Sequence, residues 1–291
     1  MTSQGEARLP GIRRPARIPA AASHVLVYAV LLLGAVVTLA PFLLSFGTSL
    51  RTPQQYASSS PWSLPIPATL ANYAALFGDR VDLSRPIGIT LLVAAFTVAT
   101  QLTFSVLAAF AFARLRFPGR DALFWVYLGT MMVPGAVTII PLYMLMVEVG
   151  LRDTFWGLAL PGMLGSPYAV FLLREYFRGI PQDLVDAAKL DGATLPDILV
   201  EIILPLSRPI LATLTLITVV SEWNAFLWPL VITSGEQWRV LTVATATLQT
   251  QYNGNWTLVT AATTVALLPL LVLFLLFQRQ IVRSIAITGF R

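Results

Sequence analysis

Side chains able to do covalent or metal chemistry are scarce in this chain of 291 residues. It has no cysteine, which removes thiolate nucleophiles, disulfides and cysteine-metal sites. Its single histidine, His24, rules out HExxH and His-rich metal chemistry. Its single lysine, Lys189, follows Ala188, so the phosphate-cradling GxxxxGK[ST] loop is absent. Two polar stretches remain. The first is Glu222-Trp223-Asn224, within an oily segment. Its Glu offers a carboxylate, its Asn a donor and an acceptor, and its Trp an indole face on which a sugar ring can stack. One carboxylate is not an acid/base pair, so this constellation suits binding rather than catalysis. The second stretch runs from Asp186 to Pro209 and carries Asp186, Lys189, Asp191, Asp197, Glu201 and Arg208 between two apolar segments. Charge at that density must face water, and a structured water-facing loop between membrane segments is a place for a partner.

The elements around these residues are oily. The chain is 56% hydrophobic and 11% charged, against about 25% charged in a soluble domain. That is too little charge to cover a globular surface, so lipid must cover it. A bilayer core needs about 20 apolar residues per helix. Six windows qualify: Val25 to Leu44, Arg85 to Arg114, Asp121 to Glu148, Thr154 to Leu173, Arg208 to Glu236, and Leu258 to Phe277. The expected fold is therefore all-α, a polytopic membrane protein of six helices with both termini on one side. With the termini inside, fourteen basic residues lie on the cytoplasmic side and five outside. This bias places the termini and the Asp186–Pro209 loop in the cytoplasm. The net charge of +5 is scattered over short loops, which argues against nucleic acid. The first window is too long for a signal peptide and no A-x-A-like site follows Phe46, so it is expected to stay as a span. Residues 1–24 are expected to be a disordered basic segment, and residues 25–291 one transmembrane domain with a cytoplasmic loop at about 174–208. The first outer loop, from about Gly47 to Pro86, is turn-rich.

Local signals shape the polar loop. Pro181 suits a first helical turn, where its missing N–H is not needed. Asp183 and Asp186 then lie near the positive end of that helix. Ala187 and Ala188 leave a face with little side chain, open to close approach. Gly192 is a natural helix stop, and Thr194 with Pro196 can start the next helix. Ile198, Leu199 and Ile202 give that helix an apolar stripe, and Pro205 and Pro209 are expected to break the chain before it re-enters the membrane.

Asp186-Ala187-Ala188, Asp191-Gly192-Ala193 and Leu204-Pro205 together resemble the "EAA…DGA…LP" loop of ABC-importer permeases. Met132-Val133-Pro134-Gly135, Pro141-Leu142-Tyr143, Gly150 to Thr154, Leu160-Pro161 and Trp223-Asn224 through Pro229-Leu230 are similar to the carbohydrate, maltose-permease-like branch. The resemblance covers roughly residues 25 to 291. It implies a non-catalytic permease subunit in a bacterial cell membrane. It implies a second permease subunit, two ATPase subunits holding ATP and Mg, an extracytoplasmic solute-binding protein, and a sugar as the transported solute. It makes Asp186, Ala187, Ala188, Asp191, Gly192, Ala193, Leu204 and Pro205 the ATPase-coupling loop. Two positions depart from the pattern. Asp186 stands where the family has Glu. Ala225 stands where this branch has an acid after Trp-Asn, and Glu222 is expected to replace that carboxylate from the same helix face.

Glu222, Trp223 and Asn224 are the expected lining of the translocation path, since ionisable residues inside spans usually face a bundle interior or water. The alternative for Glu222 is a structural hydrogen bond to a neighbouring helix. The last outer loop, about Thr233 to Thr257, contains Gln251-Tyr252-Asn253-Gly254, and by the resemblance it reaches the binding protein. The tail from Ser284 to Arg291 resembles the family's short ATPase-contacting tail. A rival reading is a stand-alone secondary transporter with Glu222 as the coupling residue. It would need several buried polar sites and often a repeat, and one Glu is a poor fit.

Overall fold

Apolar runs set the long helices in this computed structural model, which describes residues 20–78, 81–251 and 254–288. Helix α1 (Ala20–Ser49) leads into short helices α2 (Pro53–Ser58) and α3 (Ala71–Ala75) and a small antiparallel hairpin, β1 (Phe77–Gly78) with β2 (Val81–Asp82). Then follow α4 (Ser84–Arg114), α5 (Arg120–Gly129), α6 (Gly135–Glu148), α7 (Phe155–Met163), α8 (Pro167–Gly179) and α9 (Gln182–Leu190). Next come α10 (Leu195–Asp197), a wide π-helical turn (Ile198–Ile203) and α11 (Leu204–Leu206). The chain ends with α12 (Arg208–Trp223), α13 (Leu227–Ile232), α14 (Leu241–Gln251) and α15 (Trp256–Thr288).

Five segments are long and apolar enough to cross a bilayer, and a sixth is the pair α5 and α6. In the sequence that third span is a single apolar window, Asp121 to Glu148. In the structure it is bent by 98° between Met132 and Gly135. The cause is Pro134: the residue before a proline is pushed out of the helical region, and Val133 is extended at φ −82, ψ 116. The fourth span continues past Leu173 to Gly179 and is interrupted at Ser166, which is extended ahead of Pro167. The fifth span breaks at Asn224–Phe226. Pro229 cannot donate to the Ala225 carbonyl, and its ring would clash there. The Thr242 hydroxyl donates to that carbonyl instead, at 2.6 Å.

Helix α4 sits at the centre, packed on α7, α8 and α12, while α1 leans on α15. One apolar core, with Phe110, Phe124, Leu173 and Phe177, joins the end of α4 to α5, α8 and α9. Two others, around Trp223 with Leu258 and around Leu158 with Ile232, fill the opposite end. That opposite end is tightly bonded. Asn72 Nδ2 donates to the carbonyls of Ser49 and Arg51, both at 2.7 Å, and its Oδ1 accepts from Thr257 Oγ1. Buried Arg51 donates to the carbonyls of Ser60 (3.0 Å) and Pro61 (3.1 Å), so the turn-rich first loop closes on a charged anchor.

The last outer loop also differs from a plain loop. Leu241, Ala244 and Leu248 are buried on one face of α14. Their spacing of three and four residues is helical, but the intervening Thr and Gln residues mask it.

Candidate functional site

The polar loop folds as a helix, a tight turn and a second helical segment. Pro181 occupies the N-cap of α9, one residue before the expected first turn. At the other end Gly192 takes φ +87, a left-handed conformation that favours glycine. Its N–H donates to the Lys189 carbonyl (3.1 Å) and the Ala193 N–H to the Ala188 carbonyl (2.9 Å). This paired closure is a Schellman motif. Thr194 then starts α10: Asp197 Oδ2 accepts from the Thr194 N–H at 2.8 Å and from its hydroxyl. Pro205 does not break the chain as expected. The helical path continues through it, because the wide turn before it accommodates the carbonyl that a proline cannot serve. The break comes at Ser207, just before Pro209.

Burial divides the motif residues. Val185, Ile198, Leu199 and Ile203 hold the loop on the bundle. Ala188 packs against that core, while Ala187 is exposed, so the two alanines do not form one bare face. Asp186, Asp191 and Gly192 face outward, Ala193 and Leu204 pack inward, and Pro205 is exposed. Leu190 is 90% exposed and Leu184 also faces out. The sequence reasoning missed both leucines; the signal was two apolar residues in a helix that already had its buried Val185. The Asp186 carboxyl titrates below the usual range because Gln182 Nε2 donates to it (3.0 Å), helped by Lys189 Nζ (3.3 Å).

The fifth-span residues part company. Glu222 is half-buried, and its Oε1 would lie 3.6 Å from a Cβ placed on Gly162, where Thr97 Cγ2 would be at 2.9 Å. The carboxylate therefore leans on α7 close to α4. Trp223 is 5% exposed and its indole N–H donates to the Ala266 carbonyl of α15 at 3.0 Å. Asn224 is exposed, with its amide donating to the Val220 carbonyl at 2.8 Å. Of the three, only Asn224 stands on an open face. Helix α12 ends at Trp223, so Ala225 lies beyond it and shares no helix face with Glu222. Below the break, Trp228 Nε1 donates to the Gly157 carbonyl (3.0 Å) and the Asp153 N–H to the Ile232 carbonyl (3.0 Å), fastening α13 to α7.

Gln251 closes α14 and lines a cavity of about 260 Å³ with Asp82, Arg85, Glu236 and Arg239. Gly254 takes φ +89. Tyr252, Asn253 and the last residues of the tail lie outside the described residues.

This arrangement of broken spans around α4, with a capped polar loop at one end, has known counterparts. Residues 101–287 match the sequence profile described as binding-protein-dependent transport system inner membrane component, and the chain belongs to that family. It is thus a multi-pass permease subunit with no catalytic role of its own. The arabinooligosaccharides transport system permease protein AraQ of Halalkalibacterium halodurans is 32% identical, over 77% of this chain and 80% of that one. The sn-glycerol-3-phosphate transport system permease protein UgpE of Yersinia pestis is 33% identical, over 88% and 93%. A crystal structure of a bacterial ABC transporter involved in alginate import superposes with a TM-score of 0.79 at 25% identity, over 91% of this chain and 99% of that one. None of these relatives supports a stand-alone carrier.

Proposed function

We propose that the chain forms half of the translocation path of an ATP-driven importer for a neutral sugar or oligosaccharide. In this reading α9 is the contact for a separate ATPase. The observation that carries it is the α9–Gly192–α10 unit. Hydrogen bonds close the backbone on both sides of its Gly192 turn, yet it leaves Leu190 and the Asp186 carboxylate facing out. A rigid helix offering one apolar anchor and one charge suits a pocket on a partner.

The excess of basic residues puts this loop and both termini on the cytoplasmic side. Two ATPase subunits binding ATP and Mg lie there, one under this chain and one under a second permease subunit. Drawing the two α9 helices together on ATP binding would swing the halves to face outward. On the other side, the segment Gln251–Gly254 meets the solute-binding protein. Asn224 contributes the polar contact to the path, while Glu222 and Trp223 hold α12 to its neighbours. A neutral solute is favoured because no basic residue lies between Pro209 and Ile232. A phosphate ester or polyuronate would call for one in the path.

The test is purification of the tagged chain in mild detergent, with mass spectrometry of its companions and an ATPase assay. A second permease and an ATP-binding subunit should co-purify. The binding protein encoded with them should be stabilised thermally by neutral sugars and not by glycerol phosphate. Stabilisation by the phosphate ester alone would refute the solute class, and absence of an ATP-binding subunit would refute the importer.

A further inference from the structure

Two residues outside the loop motif reach it. Arg114 is the last residue of α4, and its guanidinium crosses to the end of α8. There Nη2 donates to the carbonyls of Phe177, in the last turn of α8, and Ile180, its C-cap (2.7 Å to the latter). Nη1 donates to Gln182 Oε1 at 2.6 Å. The same Gln182 amide donates through Nε2 to Asp186 Oδ1, one helical turn on, at 3.0 Å. Only this orientation of the amide works, because a guanidinium has no acceptor and a carboxylate no donor. Lys189 Nζ reaches the same Oδ1. Asp186 Oδ2 has no hydrogen bond among the described residues. One oxygen is therefore fixed and the other is presented outward.

The geometry points to Arg114 and Gln182 as positioning residues that aim the Asp186 carboxylate at the ATPase and tie its position to α4. This rests on the reading of α9 as the ATPase contact. Helix α4 is also the element on which α7, α8 and α12 pack. A movement of that central span is then felt at the carboxylate through two polar contacts, Arg114 to Gln182 and Gln182 to Asp186.

The experiment titrates the co-purifying ATP-binding subunit onto the detergent-solubilised permease pair and reads an apparent Kd. Arg114→Met, Gln182→Ala and Asp186→Asn are compared singly, and each of the first two is combined with the third. Each single change should weaken binding about 5- to 10-fold, the scale of one ordinary hydrogen bond. The double variants should bind no worse than Asp186→Asn alone, and Arg114→Lys should recover part of the loss. Losses that multiply in the double variants would overturn the relay, since a merely structural effect does not depend on Asp186. Wild-type binding by Gln182→Ala, an exposed change that decides the matter should Arg114→Met fail to assemble, would overturn it too. If Asp186→Asn weakens binding while the other two do not, the relay alone falls. If Asp186→Asn binds normally, the reading of α9 falls with it.

Discussion

At the α9 loop, residues far apart in sequence converge: Arg114 and Gln182, 68 positions apart, meet at 2.6 Å and continue to Asp186. In the fifth span, three consecutive residues diverge: Glu222 to α7, Trp223 to α15, Asn224 to an open face. The cause is elementary. Neighbours on a helix point about 100° apart, so a run of polar residues inside a span is shared among several surfaces. A loop between two short helices can bring chain ends to one point. The fifth-span triad thus holds a bundle, with one member left on an open face, while the loop presents a charge outward.

The widest test of this contrast is Gly192→Val. A Cβ there meets nothing within 4 Å, so the penalty is conformational: a β-branched residue at φ +87 is strained. ATPase co-purification should fall at least tenfold with the chain still inserted, while Gly192→Asn keeps most of it. Normal ATPase recovery with valine would detach the loop from any docking role. Leu190→Ala should come next. A fully presented anchor that fills a partner pocket contributes about 2 kcal/mol, which would appear as roughly thirtyfold weaker ATPase binding with unchanged thermal stability of the permease. Lost stability instead would mean that Leu190 packs within the chain.

In the fifth span the expectation is the mirror image. Trp223→Phe keeps a ring there but removes the indole bond to the Ala266 carbonyl, at a cost of about 1 kcal/mol. Thermal unfolding in detergent should detect it, with ATPase affinity untouched. The smallest effect concerns pH. The Asp186 carboxyl is lowered by its Gln182 and Lys189 bonds. Its interactions are therefore present above the ordinary aspartate pKa of 3.8 and lost only as pH falls through the lowered value. The ratio of ATPase affinities between wild type and Asp186→Asn should stay flat from pH 5.5 to 7.5. A slope in that ratio would mean the carboxylate is not held as the bonds indicate.

Much of the loop was legible because its signals are local. Gly192 at a left-handed turn and Thr194 at a helix start follow from backbone sterics and short-range hydrogen bonds, and both stand as expected. The spans were legible for the same reason, as length and apolarity. The interruptions were legible only in part. Pro134 and Pro229 are visible, but whether a proline bends a span or is absorbed depends on its neighbours: Pro41 and Pro269 lie inside unbroken α1 and α15. The Arg114 bridge was hidden altogether, since nothing near Arg114 in the chain announces the carbonyls at the end of α8 or the Gln182 amide 68 positions on. The split of Ala187 from Ala188 depends on which side of α9 faces the core, and Val185 decides that only once the helix is docked.

The wide turn at Ile198–Ile203 has a consequence for how this chain can tolerate change. A turn that spends an extra residue acts as a phase adjuster between α9 and the fifth span. Adding one more residue, which the already widened turn has no room to absorb, would rotate everything upstream by about 100°. The exposed leucine and the carboxylate would swing to another side of the bundle with every side chain still present. The length of this connector, more than its composition, is what keeps the two ends of the machine in step.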